Sequence, residues 1–121
     1  MAIKRPTAPG SVAGCAQLFQ ALADPTRLAI VEHLATGEHR VRDLVEHMGF
    51  AQSTVSKHLS VLLDCGIVSV RPQGRSSWYS LTDAALLDCL MAAAETLLQA
   101  TGAHSMPRVP RPSAIAATEV G

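Results

Sequence analysis

Apolar positions recur with a helical period in five stretches of the chain and with a strand-like pattern in one. In residues 51–63, AQSTVSKHLSVLL, the apolar side chains Val55, Leu59, Leu62 and Leu63 fall at i, i+4, i+7 and i+8, one stripe of an amphipathic helix. The opposite face carries Gln52, Ser53, Ser56, Lys57 and Ser60, with Thr54 and His58 on its flanks, and no carboxylate until Asp64. A face that is merely solvated usually mixes both signs of charge, whereas one that approaches phosphates and base edges excludes acids and offers donors and amides. The stretch just before it, residues 41–48, repeats Val41, Leu44, Val45 and Met48 at i, i+3, i+4 and i+7, and Gly49 stands just past its end. Helix, tight glycine-containing turn, second helix with a polar outer face: the pattern predicts a helix-turn-helix. Ala51 stands where a Ser or Thr cap would be expected, at a cost of about 1 kcal/mol.

Upstream, residues 11–22 predict a helix with Val12, Leu18, Phe19 and Leu22 apolar and Cys15 among them. Asp24-Pro25 then restarts the chain, since Asp is a favoured N-cap and Pro suits the first helical position. This second helix is expected to run to about residue 35 with Leu28, Val31 and Leu34 inward, ended by Gly37. Downstream of Cys65-Gly66 the period changes. Ile67, Val68 and Val70 predict a strand, residues 71–75 (Arg-Pro-Gln-Gly-Arg) a turn holding two cations, and residues 77–81 the returning strand. A hairpin beside a helix-turn-helix is a wing, whose tip cations, here Arg71 and Arg75, can meet phosphates or enter the minor groove, with Gly74 and Arg75 the candidate DNA-binding residues. Thr82-Asp83 opens a last helix to about residue 100, too rich in Ala and Leu for a lone surface helix and therefore expected to be buried against a partner chain.

The domain expectation follows: an N-terminal arm over 1–10, a winged helix-turn-helix domain over 11–101, and a Pro-containing tail over 102–121 expected to be disordered. The fold class is mainly α with a β-hairpin wing (α+β). A chain of 121 residues, 48% apolar and 17% charged, is long enough for one domain with a modest core. With 3% aromatics that core must be built from Leu, Val, Ile and Ala. No apolar run is expected to reach the roughly 20 residues of a membrane helix, and the location expected is cytoplasmic. The formal net charge of zero argues against a nucleic-acid partner until its distribution is considered. Residues 51–81 hold Lys57, Arg71 and Arg75 against Asp64, and residues 83–100 hold Asp83, Asp88 and Glu95 with no base, so one face is positive even though the total is not. There is no Gly-rich phosphate loop, no nucleophilic Cys–His motif and no carboxylate cluster in the sequence, so an enzyme is not expected. A winged protein-interaction module is the alternative from a different class.

Three runs in order, ALADPTRLAIVEHL (21–34), STVSKHLSVL (53–62) and GRSSWYSL (74–81), resemble the ArsR/SmtB family of winged-helix repressors. The resemblance covers about residues 19–100. It implies a homodimer paired through first and last helices, bound to double-stranded DNA at an imperfect inverted repeat and released by an inducer, most often a metal or metalloid ion. It also implies that Gln52, Ser53, Thr54, Ser56 and His58 face the groove, with Lys57 nearby and Arg75 at the wing tip.

The sensing sites of the family are where this sequence departs from the pattern. Members with a site on the third helix carry Cys-Val-Cys-Asp-Leu, and here the stretch is Arg40-Val41-Arg42-Asp43-Leu44. Arginine has no lone pair for a metal, which leaves phosphate contact or plain solvation for Arg40 and Arg42. Members sensing zinc or nickel between last helices use Asp-x-His. Asp83 is kept, but Ala85 replaces the His, and the later ligand positions fall near Thr96 and Gln99. Cys65 resembles a cysteine that cadmium and lead sensors use after the recognition helix, but Val61 stands where its companion would be.

The thiols of Cys15, Cys65 and Cys89 remain as sensing candidates, and Cys15 and Cys89 would approach if the first and last helices pair as the resemblance implies. Three thiolates suit Cd(II), Pb(II), As(III), or Zn(II) with a further ligand. Set against this, a free Cys in an apolar helix is usually a small buried hydrophobe. Thiol oxidation and an organic effector stay open as alternative switches. His33, His39 and His47 are expected to be scattered over separate helices, and His104 lies at the tail boundary.

Overall fold

A computed structural model describes residues 11–102 of the chain. The expected arm over 1–10 and all of the expected tail beyond Gly102 lie outside the described residues. The element order is α1 (Val12–Leu22), α2 (Pro25–Leu34), α3 (Val41–Met48), α4 (Gln52–Asp64), β1 (Val68–Gln73), β2 (Ser76–Leu81) and α5 (Ala84–Thr101). The chain divides into two compact units, one ending at Ala84 and one starting at Ala85. The first holds α1 to α4 and the hairpin.

The helix starts follow local chemistry. The Ser11 hydroxyl accepts from the Gly14 N–H at 3.0 Å, and the Asp24 carboxylate accepts from the Arg27 N–H at 3.0 Å with Pro25 at the first helical position. At α3 the capping residue is Arg40, whose guanidinium cannot accept a bond from the helix. The Asp43 carboxylate instead accepts the Arg40 backbone N–H at 2.9 Å, one half of a capping box, and takes two further bonds from the guanidinium at 3.0 Å each. The α3 end is set by Gly49, at φ 78°, a left-handed conformation that glycine adopts without a Cβ clash.

The core of the first unit is aliphatic, with Ile30, Leu44, Val55, Leu59 and Leu62 essentially fully buried. Each such side chain contributes about 1.5–3 kcal/mol on burial. Of the α4 stripe, Val55, Leu59 and Leu62 are buried as its period predicts, and Leu63 is half-buried. On α2 the expected inward Leu28 is only half-buried, and Ile30 takes the core position beside Val31 and Leu34. Residues 28–31 are a continuous apolar run, so the phase of that helix is not fixed by periodicity.

The hairpin pairs β1 and β2 antiparallel from Val68↔Leu81 to Gln73↔Ser76. The expected five-residue turn is therefore shorter: Arg71, Pro72 and Gln73 are strand residues, and the connection is Gly74-Arg75, with Gly74 at φ 63° as primed two-residue turns require. Pro72 is tolerated because the sheet has two strands and both are edges. The connection between α2 and α3 is bound to this hairpin. His39 and Tyr79 form an isolated antiparallel bridge, His39 N–H to Tyr79 O at 3.0 Å and Tyr79 N–H to His39 O at 2.8 Å. Glu38 takes two bonds from the Arg71 guanidinium, at 2.7 and 3.1 Å, and the Arg40 guanidinium lies 4.9 Å from the Trp78 ring centre.

In the second unit, α5 has 18 residues and a mean hydropathy of 1.2, long and apolar enough by length and composition to cross a membrane. This corrects the expectation that no apolar run reaches that length: at 1.5 Å per residue such a helix spans about 27 Å. Asp88 and Glu95 are exposed along it, as is Leu97.

The Arg40 guanidinium and backbone N–H hold the Asp43 carboxyl at about 2, down from the ordinary 3.8. A depressed carboxylate favours the folded state fully above its unfolded value, and that contribution disappears as pH falls from about 4 towards 2. Asp43→Asn is therefore expected to lower stability by about 0.5–1 kcal/mol at pH 7, allowing for solvent screening, and by about a third of that at pH 2.5. Paired thermal melts of the two proteins across that range check it, and a pH-independent difference would contradict it.

Candidate nucleic-acid interface

Met48 ends α3, Gly49 turns the chain, and α4 begins at Gln52 after Phe50 and Ala51. Burial of Val55, Leu59 and Leu62 fixes the rotation of α4 and leaves Gln52, Ser53, Lys57 and Ser60 exposed on the other side, with Ser56 and Thr54 half-buried at its margins. Ala51 makes no side-chain cap bond, so the first-turn N–H groups of α4 have no side-chain acceptor there, and the positive end of the helix dipole is open to an anion. Gly74 and Arg75 are exposed at the wing tip. Lys57 and Arg75 take part in no salt bridge among the described residues.

The remaining cations are divided differently from the sequence expectation. Arg71, expected at the wing turn, is engaged with Glu38 and donates to the Gln73 Oε1 at 2.6 Å. That hydrogen-bonded pairing lowers the Glu38 carboxyl below its ordinary range. Arg40, a candidate for phosphate contact, is held by Asp43 and Trp78, whereas Arg42 is exposed.

His58 differs from the groove-facing position implied by the resemblance. Its Nδ1 lies 3.2 Å from the Arg27 guanidinium and its Nε2 3.8 Å from the Asp24 carboxylate, and the side chain is 18% exposed. Burial pushes its pKa down, with Arg27 and Lys57 adding to the effect and Asp24 opposing it. A neutral imidazole accepts at Nδ1 from Arg27, so the contact with Asp24 is not an ion pair at neutral pH. His58 is thus a tie between α4 and the start of α2. Arg27 is the residue that sequence reasoning missed. It donates to the Ala21 carbonyl at 2.6 Å and the Gln20 carbonyl at 3.3 Å, closing α1, α2 and α4 around one guanidinium. Its only signal in the sequence is its place three residues after the Asp24 cap.

The thiols of all three cysteines are exposed on the single chain. Cys15 is on α1, Cys89 on α5, and Cys65 caps α4, where it lines an open hollow of about 500 Å³ with Gln17, Gln20, Arg27 and Asp64. The histidines reverse the expectation made for them. His33 on α2, His39 before α3 and His47 on α3 are brought together, their ligand atoms all within 4.8 Å of one another. Their sequence separations fit no single-helix metal motif, so only the fold, which brings the His33 and His47 rings together, reveals the group. Burial, then the neighbouring His39 and His47 imidazoles, push the His33 pKa down.

The description "Bacterial regulatory protein, arsR family" matches residues 24–70. A probable mercury resistance operon repressor of Streptomyces lividans is 46% identical over 64% of this chain, which spans 62% of that relative's length. The HTH-type transcriptional regulator NmtR of Mycobacterium tuberculosis is 46% identical, with 69% of this chain and 75% of that protein covered. Among solved structures, the cadmium metal-sensor CMTR from Mycobacterium tuberculosis is similar at 43% identity and a TM-score of 0.53, covering 60% of this chain and 74% of that one.

Arg27→Ala removes a charged donor from two carbonyls and an imidazole at once, and is expected to cost about 1.5–3 kcal/mol. Arg27→Lys restores little of it, because an ammonium cannot span the fork. Urea midpoints of the three proteins check both statements.

Proposed function

The chain belongs to the ArsR family of bacterial regulatory proteins, and from that premise we propose that it is a DNA-binding transcriptional repressor, released from its operator by a metal or metalloid ion. The observation that carries this reading is the acid-free polar face of α4, with Lys57 at its centre, in the same compact unit as a wing tip bearing Arg75. Gln52, Ser53, Thr54, Ser56 and Lys57 would meet base edges and phosphates in the major groove. Gly74 and Arg75 would meet the flanking backbone or minor groove. His58 would act through Arg27 by holding α4 in place.

A homodimer supplies two recognition helices about 34 Å apart, one for each half of an imperfect inverted repeat. Val12 is 86% exposed and Phe19 54% on α1, and Leu97 63% on α5, apolar surface suited to a partner protomer. The apolar character of α5 is read here as dimer surface, in a protein acting in the cytoplasm where its operator lies. The inducer proposed is a thiophilic ion, Cd(II), Pb(II), As(III) or Zn(II), taken by Cys15, Cys65 and Cys89. In support, the thiols are exposed, and similar proteins are named for mercury resistance and cadmium sensing. A coupling of about 1–3 kcal/mol between ion and dimer geometry is enough to release DNA. The same exposure favours a second reading, in which thiol oxidation is the switch.

Anisotropy with DNA from upstream of the gene tests the reading. Lys57→Ala and Arg75→Ala are each expected to weaken binding, and to reduce the slope of log affinity against log salt by about 1. Unchanged slopes would remove these residues from the interface. Cd(II) or As(III) is expected to release the wild type but not the Cys15→Ser/Cys65→Ser/Cys89→Ser variant. Equal release of both would rule out the thiols, and release by peroxide alone would select the oxidation reading.

A further inference from the structure

His33, His39 and His47 form the one group of three or more metal-ligand side chains found among the described residues, and it contains no thiol. The geometry points to a site for a divalent ion of the zinc class, held by these three imidazoles and separate from the cysteines.

The spacing fits such an ion. The His33 Nε2 and His47 Nδ1 are 3.1 Å apart and share a hydrogen bond. Two nitrogens bound to one tetrahedral ion at about 2.0–2.1 Å each lie about 3.3 Å apart, so an ion replaces that bond with a few tenths of an ångström of movement. The third ligand is already oriented. The His39 Nδ1 lies 2.9 Å from the Gly37 carbonyl oxygen, to which it donates, leaving the lone pair on Nε2. A backbone carbonyl on the far nitrogen is the usual companion of a metal-bound imidazole, because it fixes the tautomer and the ring plane. The ring centroids are 5.1–5.7 Å apart and the three ligand atoms lie within 4.8 Å of one another, wider than that tetrahedral separation, so ion binding requires His39 to swing towards the other two rings.

The donor set selects the ion class. Imidazoles suit Zn(II), Ni(II), Co(II) and Cu(II), whereas the larger thiophilic ions favour thiolate. Three protein ligands leave a fourth position for water. It would open toward a hollow of about 400 Å³ lined by Glu32, Thr36, Met48 and Phe50 beside His33 and His47. The elements joined give the site its consequence. His33 is near the end of α2 and His47 one residue before the end of α3, while His39 is bridged to Tyr79 of the wing. An ion here links the core, the first helix of the helix-turn-helix and the base of the wing.

The test is calorimetry of the metal-free full chain with zinc chloride, and absorption spectroscopy with cobalt chloride. At the histidine site one ion per chain is expected to bind, with the ligand-field absorption of a tetrahedral nitrogen and oxygen site, which persists without sulfur-to-cobalt charge transfer when the thiols are removed. The Cys15→Ser/Cys65→Ser/Cys89→Ser variant is expected to bind equally well. His47→Gln alters an exposed side chain and is expected to weaken binding about a hundredfold, as is His33→Gln. Zinc at a hundredfold excess over its dissociation constant is expected to raise the wild-type melting midpoint by about 10 °C, and that of His47→Gln by almost nothing. Absence of binding, wild-type affinity retained in both histidine variants, or loss of binding in the cysteine variant would each overturn the proposal. Because the readout is ion binding without DNA, failure of the thiol-based release reading leaves these outcomes unchanged.

Discussion

The placement of the wing depends on three residues of the connection between α2 and α3. Glu38 is doubly hydrogen-bonded to Arg71, His39 forms a reciprocal backbone bridge with Tyr79, and Arg40 lies against Trp78. A two-stranded hairpin is marginal by itself in water. Here its base gains a third strand-like residue, and two side-chain contacts fix its direction relative to α3. Arg40 also orders the first turn of α3 through Asp43, so one side chain serves both the helix-turn-helix and the wing. The separation between the α4 face and Arg75 is inherited from that junction.

The same junction explains how a chain without net charge presents a basic edge. Among the described cations, Arg27 is committed to α1 and α4, Arg40 to Asp43 and Arg71 to Glu38. Lys57, Arg75 and Arg42 stay exposed without a salt bridge among the described residues. Neutralisation is therefore local. It removes acids and bases together where structure is being held, and leaves bases where the polar face is open.

What was legible in the sequence was what neighbours in the chain decide. Asp24-Pro25 and Gly49 mark helix ends through their own φ preferences and hydrogen bonds, and Val55, Leu59 and Leu62 mark the buried side of α4 through period alone. The polar face of α4 follows from that rotation. Contacts between residues distant in sequence were not legible. Arg71 reads as a tip cation until the fold brings Glu38, 33 residues away, to it, and His58 reads as groove-facing until Arg27, 31 residues away, takes its Nδ1. The three histidines carry no motif, because their ligand atoms converge only through tertiary placement of residues on α2, on α3 and at the strand bridge. Conversely, the continuous apolar run at 28–31 made the sequence ambiguous where the structure is not, since only packing selects Ile30 over Leu28.

Ala51 gives α4 an end that its own side chain does not complete. A serine there would close the helix on itself and steady the isolated protein, yet it would occupy the N–H groups that a phosphate would otherwise meet. In the proposed complex a phosphate would act as the missing cap, and part of the helix's order would be supplied by its partner. Stability and affinity are set against each other at a single methyl group, and a protein selected only for heat resistance would be expected to lose the alanine first.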